Sequence, residues 1–154
     1  MREIKFRLWC KDLEEMTEIE KMGFENNQLW YIRCIDHDKE ETYFPENDDH
    51  VLMQYTNLKD KNSTEIYEGD IVKIKHTYEY PTMEGYERDW TTTIGEVAYV
   101  HAGFDIKRIS KDGIEVWQGI TAMECLTDML SEWEVIGNIY ENPELLGGDF
   151  VAKS

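Results

Sequence analysis

The sequence predicts a mainly β protein, a barrel or a sandwich, with at most short helices. Short apolar runs alternating with polar residues recur along the chain, and turn residues punctuate them every ~8–12 positions. Aromatic and β-branched residues crowd those runs, and the 154 residues include five Trp, nine Tyr and five Phe. No long stretch keeps the i, i+3, i+4, i+7 spacing of an extended amphipathic helix.

The elements follow in order. Arg2 to Trp9 alternates Ile4, Phe6 and Leu8 with Lys5, Arg7 and Trp9, the period of a half-buried strand. Lys11 to Lys21 fits either a short amphipathic helix, through Leu13, Met16 and Ile19, or a hairpin; Gly23 ends it in both cases. Leu29 to Ile35 (LWYIRCI) is the strongest strand of the N-terminal part. Asp36 to Asp49 is acidic, contains Pro45 and Asn47-Asp48-Asp49, and reads as a loop and a domain boundary. Val51 to Thr56 is a short strand, and NLKDKNST after it is rich in turn residues. Glu68-Gly69-Asp70 is a turn that sets strand register, followed by an alternating strand over Ile71 to His76.

Thr77 to Asp89, with Pro81, Gly85 and several charges, reads as a long loop or a loose hairpin. Trp90 to Val100 is rich in β-formers, Gly103 breaks it, and Phe104 to Ile109 resumes. Asp112-Gly113 is a hairpin signal before Ile114 to Trp117. Thr121 to Ser131 suits a short helix through Met123, Leu126, Met129 and Leu130. Trp133 to Tyr140 is a last strand, stopped at Asn142-Pro143. This places a small N-terminal β region at 1–48, a β domain at 49–146 and a flexible tail at 147–154.

Charge narrows the function classes. The formal net charge is −17, and it is uneven: residues 1–50 hold 7 bases against 14 acids, 51–75 hold 4 of each, and 76–154 hold 5 against 15. Such a surface repels DNA and RNA, whose binding rests on phosphate neutralisation. Solubility is the plain reading of such a charge, and attraction to a basic partner is the sharper alternative. No apolar run is long enough for a membrane span, and the N-terminus lacks the apolar core of a signal peptide. Three widely spaced Cys form neither a disulfide framework nor a zinc knuckle. A cytoplasmic protein is expected.

Three segments carry a resemblance: REIKFRLW at the start, LMQYTNLKDKNSTEIYEGDIVKI in the middle and VIGNIYENPELL near the end. In this order they resemble the YopX family of bacteriophage and prophage proteins. The resemblance implies an SH3-like barrel for the C-terminal domain and a role in phage or prophage growth inside a bacterial host. It implies no activity, cofactor or catalytic residue. Three positions depart from the family's pattern. Asn57 stands where Gly is usual, Ser63 interrupts an Asn-Gly turn, and Cys10 replaces a common Asp. Asn tolerates the left-handed backbone at modest cost, whereas Ser63 suits a tight turn poorly and suggests a longer loop.

Chemistry-bearing constellations are sparse. Asp36-His37-Asp38 and Asp48-Asp49-His50 are the dense metal-ligand clusters, but adjacent residues of an extended chain face opposite ways, and a solvated acidic loop accounts for them. Cys34 in an apolar strand and Cys125 beside Leu126 read as buried and inert. There is neither G-x-S-x-G nor a phosphate-cradling glycine loop. No metal, cofactor or catalytic residue is expected. Tyr78, Tyr80, Tyr86 and Trp90 form the candidate partner-binding surface, because aromatics gather at interfaces. The expected function is a non-enzymatic protein-interaction module that self-associates, with a host protein as a second candidate partner; an acidic surface that mimics DNA and occupies a host protein is a separate reading that overlaps with it. A nucleic-acid-binding barrel and, below it, a metal-dependent phosphodiesterase are the alternatives.

Overall fold

The computed structural model describes residues 3–36, 39–100, 102–109, 115–119 and 132–147. They are mainly strand, arranged in two antiparallel sheets. The expected mainly β class stands, but the two sheets do not close into a barrel among the described residues. The chain divides into two compact units, residues 1–57 and 58–154. The Asp112-Gly113 turn and the helix expected over 121–131 lie outside the described residues.

The first unit holds β1 (Phe6–Cys10), β2 (Glu15–Glu25), β3 (Gln28–Asp36), β4 (Lys39–Tyr43) and most of β5 (His50–Lys59). They lie side by side in the order β4-β3-β2-β1-β5. The segment that fitted either a helix or a hairpin is the arm of a hairpin. Cys10 pairs with Glu15 across the turn, where Glu14 takes φ 50°. Three apolar positions are too few to bury a helix face, whereas pairing with β1 satisfies the backbone directly. Gly23 lies inside β2, where it admits the Tyr31 ring of β3. A Cβ there would stand 2.0 Å from Tyr31 Cε1. Asn26 and Asn27, with φ of 50° and 65°, make the two-residue turn from β2 to β3, whose twist suits an antiparallel pair.

The expected acidic loop over 36–49 contains β4, which pairs with β3 from Ile32↔Tyr43 to Asp36↔Lys39. Its sequence, KEETY, has no apolar alternation, so only the neighbouring strand makes it a strand. The core of this unit is Leu8, Cys10, Ile32 and Cys34, with Ile19, Met22, Leu29, Tyr43 and Leu52 packed against it.

The second unit begins at the end of β5 and continues through β6 (Glu65–Tyr67), β7 (Asp70–Thr82), β8 (Gly85–Val100), β9 (Gly103–Ile109), β10 (Glu115–Gly119) and β11 (Trp133–Asn138). A 3₁₀ turn, Pro143–Gly147, follows. β6 is the strand next to β5, and the other five form a sheet in the order β10-β9-β8-β7-β11. Ile66, Val72, Ile74, Val97, Ile106 and Trp133 are fully buried together. Each contributes on the order of 2 kcal/mol by leaving water.

Two turns organise this unit. In Glu68-Gly69-Asp70, Gly69 takes φ 79°, donates its N–H to Val97 O at 2.7 Å and accepts from Ile139 N at 2.9 Å. Asp70 Oδ2 accepts the Tyr67 N–H at 2.7 Å. In the turn over 60–64, the buried Asp60 carboxylate accepts from Asn62 N, Thr64 N and Val135 N. Ser63 takes φ 65° there, and Asn57 takes φ 67° before it.

Candidate functional site

Of the two readings of Thr77 to Asp89, a long loop or a hairpin, the structure shows the hairpin. β7 and β8 pair in unbroken register from Ile71↔Glu96 to Thr82↔Gly85. β11 covers β7 only at Asp70–Ile74, and β9 covers β8 only at Glu96–Val100. Beyond those limits the pair continues as a two-stranded arm from Lys75 to Thr82 and back from Gly85. Among the described residues no third strand pairs with it. Eight residues of strand make an arm about 25 Å long.

Local chemistry explains why a stretch with Pro81 and Gly85 extends this far. Thr77, Thr82 and the Thr91–Thr93 run favour the pleated backbone. Pro81 lies one pair from the tip, where a missing N–H costs little. Met83 and Glu84 form the two-residue tip before Gly85 at φ 137°. Thr82 Oγ1 accepts the Glu84 N–H at 3.3 Å and donates to Gly85 O. Cross-strand contacts then staple the arm. The Arg88 guanidinium lies 2.6 Å from its register partner Glu79, and the Tyr80 hydroxyl donates to its partner Glu87 at 2.9 Å. Lys75 Nζ stands 5.5 Å from the centre of the Trp90 ring. Such exposed contacts contribute no more than about 1 kcal/mol each, enough to order a ribbon but not to build a core.

The four residues singled out in the sequence fall on this arm but not on one face. Opposed residues of an antiparallel pair share a face. Tyr80 therefore shares its face with Glu87, while Tyr86, opposite Pro81, and Trp90, opposite Thr77, belong to the other. Tyr78 pairs with Asp89. Tyr86 is 78% exposed and Met83 wholly so, whereas Trp90 is half-buried.

Elsewhere some of the titratable groups are paired locally. Asp48 pairs with Lys11 at 2.6 Å, and the Lys11 hydrogen bond holds its carboxyl below the ordinary value. Asp49 bonds His50 Nδ1 at 2.6 Å. His37 and Asp38 lie outside the described residues. Among the described residues no group of three His, Cys, Asp or Glu is placed to hold a metal ion. Cys10 and Cys34 are buried thiols outside any disulfide, in the core of the first unit. Cys10 donates to Tyr43 Oη at 3.2 Å and lies 3.4 Å from Thr17 Oγ1. No described helix is long and apolar enough to cross a membrane.

One surface went unread in the sequence. Glu25, Asn26, Gln28, Leu29, Trp30, Phe44, Pro45 and Glu46 line an open cleft of about 420 Å³ at the β2–β3 turn. Trp30 is 55% exposed although it lies in the same strand as the buried Ile32 and Cys34. That apolar side chain outside the core is the one signal the sequence offered.

Comparison with known proteins agrees with this architecture. The profile of the family described as YopX protein matches residues 5–147. The crystal structure of protein EF1440 from Enterococcus faecalis is similar, with a TM-score of 0.53 and 29% identity. The match covers 95% of this chain and 99% of that one. No curated protein matches.

Proposed function

Because the chain belongs to the YopX family, which brings a fold and no assigned chemistry, we propose that it is a non-enzymatic protein-interaction module that pairs with a second copy of itself through the β7–β8 arm. We assign residues 58–147 to the family's SH3-type domain, with the arm as its projection. The observation that carries the reading is the arm itself, a two-stranded ribbon with its cross-strand contacts made, its edges unpaired among the described residues and Tyr86 and Met83 exposed. Unpaired edges and exposed aromatic side chains are what one β surface offers another.

Charge favours a second copy as the occupant. The tip carries Glu84, while the root carries Lys75. Two arms related by a two-fold axis and running antiparallel set each acidic tip beside the partner's Lys75, so one surface complements itself. Sedimentation velocity over a concentration series tests this. The wild-type chain dimerises, and replacing Tyr78, Tyr80, Tyr86 and Trp90 with Ala yields a folded monomer. A wild-type monomer at all concentrations, or an undiminished dimer in the variant, refutes it.

A second reading draws on the net charge of −17. The acidic surface takes the place of DNA on a basic host protein, with binding that weakens as salt rises. On this reading the phage or prophage setting is that of the family, and the protein acts in the host cytoplasm.

A further inference from the structure

We propose that the cleft at the β2–β3 turn receives the guanidinium group of an arginine from a protein partner. Its position is set by pairing. β3 and β4 run in register to Ile32↔Tyr43, and just beyond that last pair lie Trp30 on β3 and the turn that starts at Phe44, where Asn47 N–H donates to Phe44 O at 2.9 Å. The Asn26-Asn27 turn brings Glu25 and Gln28 together at the other end. The lining therefore combines two aromatic rings, Trp30 and Phe44, with two carboxylates, Glu25 and Glu46, and it contains neither Lys nor Arg.

Several features point to a cation as occupant. Among the described residues neither the Glu25 nor the Glu46 carboxylate has an ion pair or hydrogen bond, whereas Glu20, Asp48 and Asp49 of the same unit each have a basic partner. The aromatic wall is held from behind. The Trp30 ring meets Tyr31 edge to face at 5.4 Å, and Tyr31 fills the space that Gly23 leaves. An indole face attracts a cation, and a planar guanidinium both stacks on it and bonds carboxylates in pairs, which an ammonium does not. An apolar residue would leave both carboxylates without a partner, and an anion would be repelled. This surface lies in the first unit and does not depend on the arm.

The test titrates the intact chain with the capped peptide Ac-Gly-Arg-Gly-NH2 and follows the Trp30 indole N–H by NMR. The control peptide carries citrulline, which keeps the shape and loses the charge. A saturable shift is expected with the arginine peptide at a millimolar Kd, as suits a single side chain. Citrulline should bind about tenfold more weakly, the scale of a cation–π contact with charge assistance. Glu25→Gln with Glu46→Gln should weaken arginine binding, and Trp30→Ala, read on the Gln28 side-chain amide, should remove it. Trp30 is exposed, so this variant keeps its fold. Equal binding of citrulline, no saturable shift, or shifts that persist in Trp30→Ala would overturn the proposal. So would a Trp30 signal that moves with protein concentration alone, because a second copy would then fill the cleft.

Discussion

The Asp60 carboxylate accepts the Val135 backbone N–H at 2.9 Å, which ties the turn after β5 to β11 across 75 positions of the chain. A second bond, from Lys61 N to Trp133 O at 3.0 Å, runs beside it, and Lys61 Nζ reaches Glu134 at 2.6 Å. The last strand of the second unit is thus held by this five-residue turn as well as by its pairing with β7.

Asp60 makes this unit acid-sensitive. Burial alone would raise its pKa, but the bonds from Val135, Thr64 and Asn62 outweigh that effect and hold it below the ordinary 3.8. A carboxyl with a lower pKa folded than unfolded stabilises in its ionised form. The contribution is complete above the unfolded value and is lost as pH falls through the folded one. Thermal melts of wild type and Asp60→Asn should therefore differ most near neutrality and converge at low pH. Asp60→Ala should cost about 1–3 kcal/mol at pH 7, since buried donors lose their acceptor.

Gly95→Ala should destabilise the second unit by about 1–3 kcal/mol. A Cβ there would stand 2.5 Å from Ile106 Cγ2 and 2.9 Å from Lys107 O, forcing β8 and β9 apart. Denaturant unfolding measures the loss.

Ser63→Gly should stabilise by about 1 kcal/mol. Ser63 sits at φ 65°, where an L side chain is strained and glycine is not. Chemical denaturation should show a raised midpoint with an unchanged slope.

Tyr86→Ala should leave folding stability within about 0.5 kcal/mol of wild type, because the side chain is mostly in solvent. Trp133→Ala should cost about 3–5 kcal/mol, because its side chain lies in the core. A melt of each variant separates a surface aromatic from a core one.

In a Cys125→Ser background, Cys10 and Cys34 should resist a thiol reagent in the native chain and react on unfolding. Both are buried, and buried thiols react through opening. Absorbance of the released reagent follows the difference.

Much of this was legible from local pattern. LWYIRCI and IVKIK show strand composition on their face, and Gly69-Asp70 shows the turn that precedes β7. Other elements were not. β4 has the composition of a loop and is a strand because β3 offers it a row of backbone partners. The arm carries Pro81, Gly85 and four acids between 77 and 89, which left a loop and a loose hairpin both open, and the register of β7 with β8 decides for the hairpin. Asn26-Asn27 was a two-residue hairpin signal that went unused.

By itself the sequence determined the β class, the acidic surface, the aromatic richness of 78–90 and the family resemblance, because these depend on residue type and on neighbours a few positions apart. Only the tertiary structure decided that the arm is a paired ribbon, that Tyr80 and Tyr86 take opposite faces, and that Trp30, Phe44, Glu25 and Glu46 share one cleft. Those facts depend on strand register, and a slip of one residue turns every side chain to the other face.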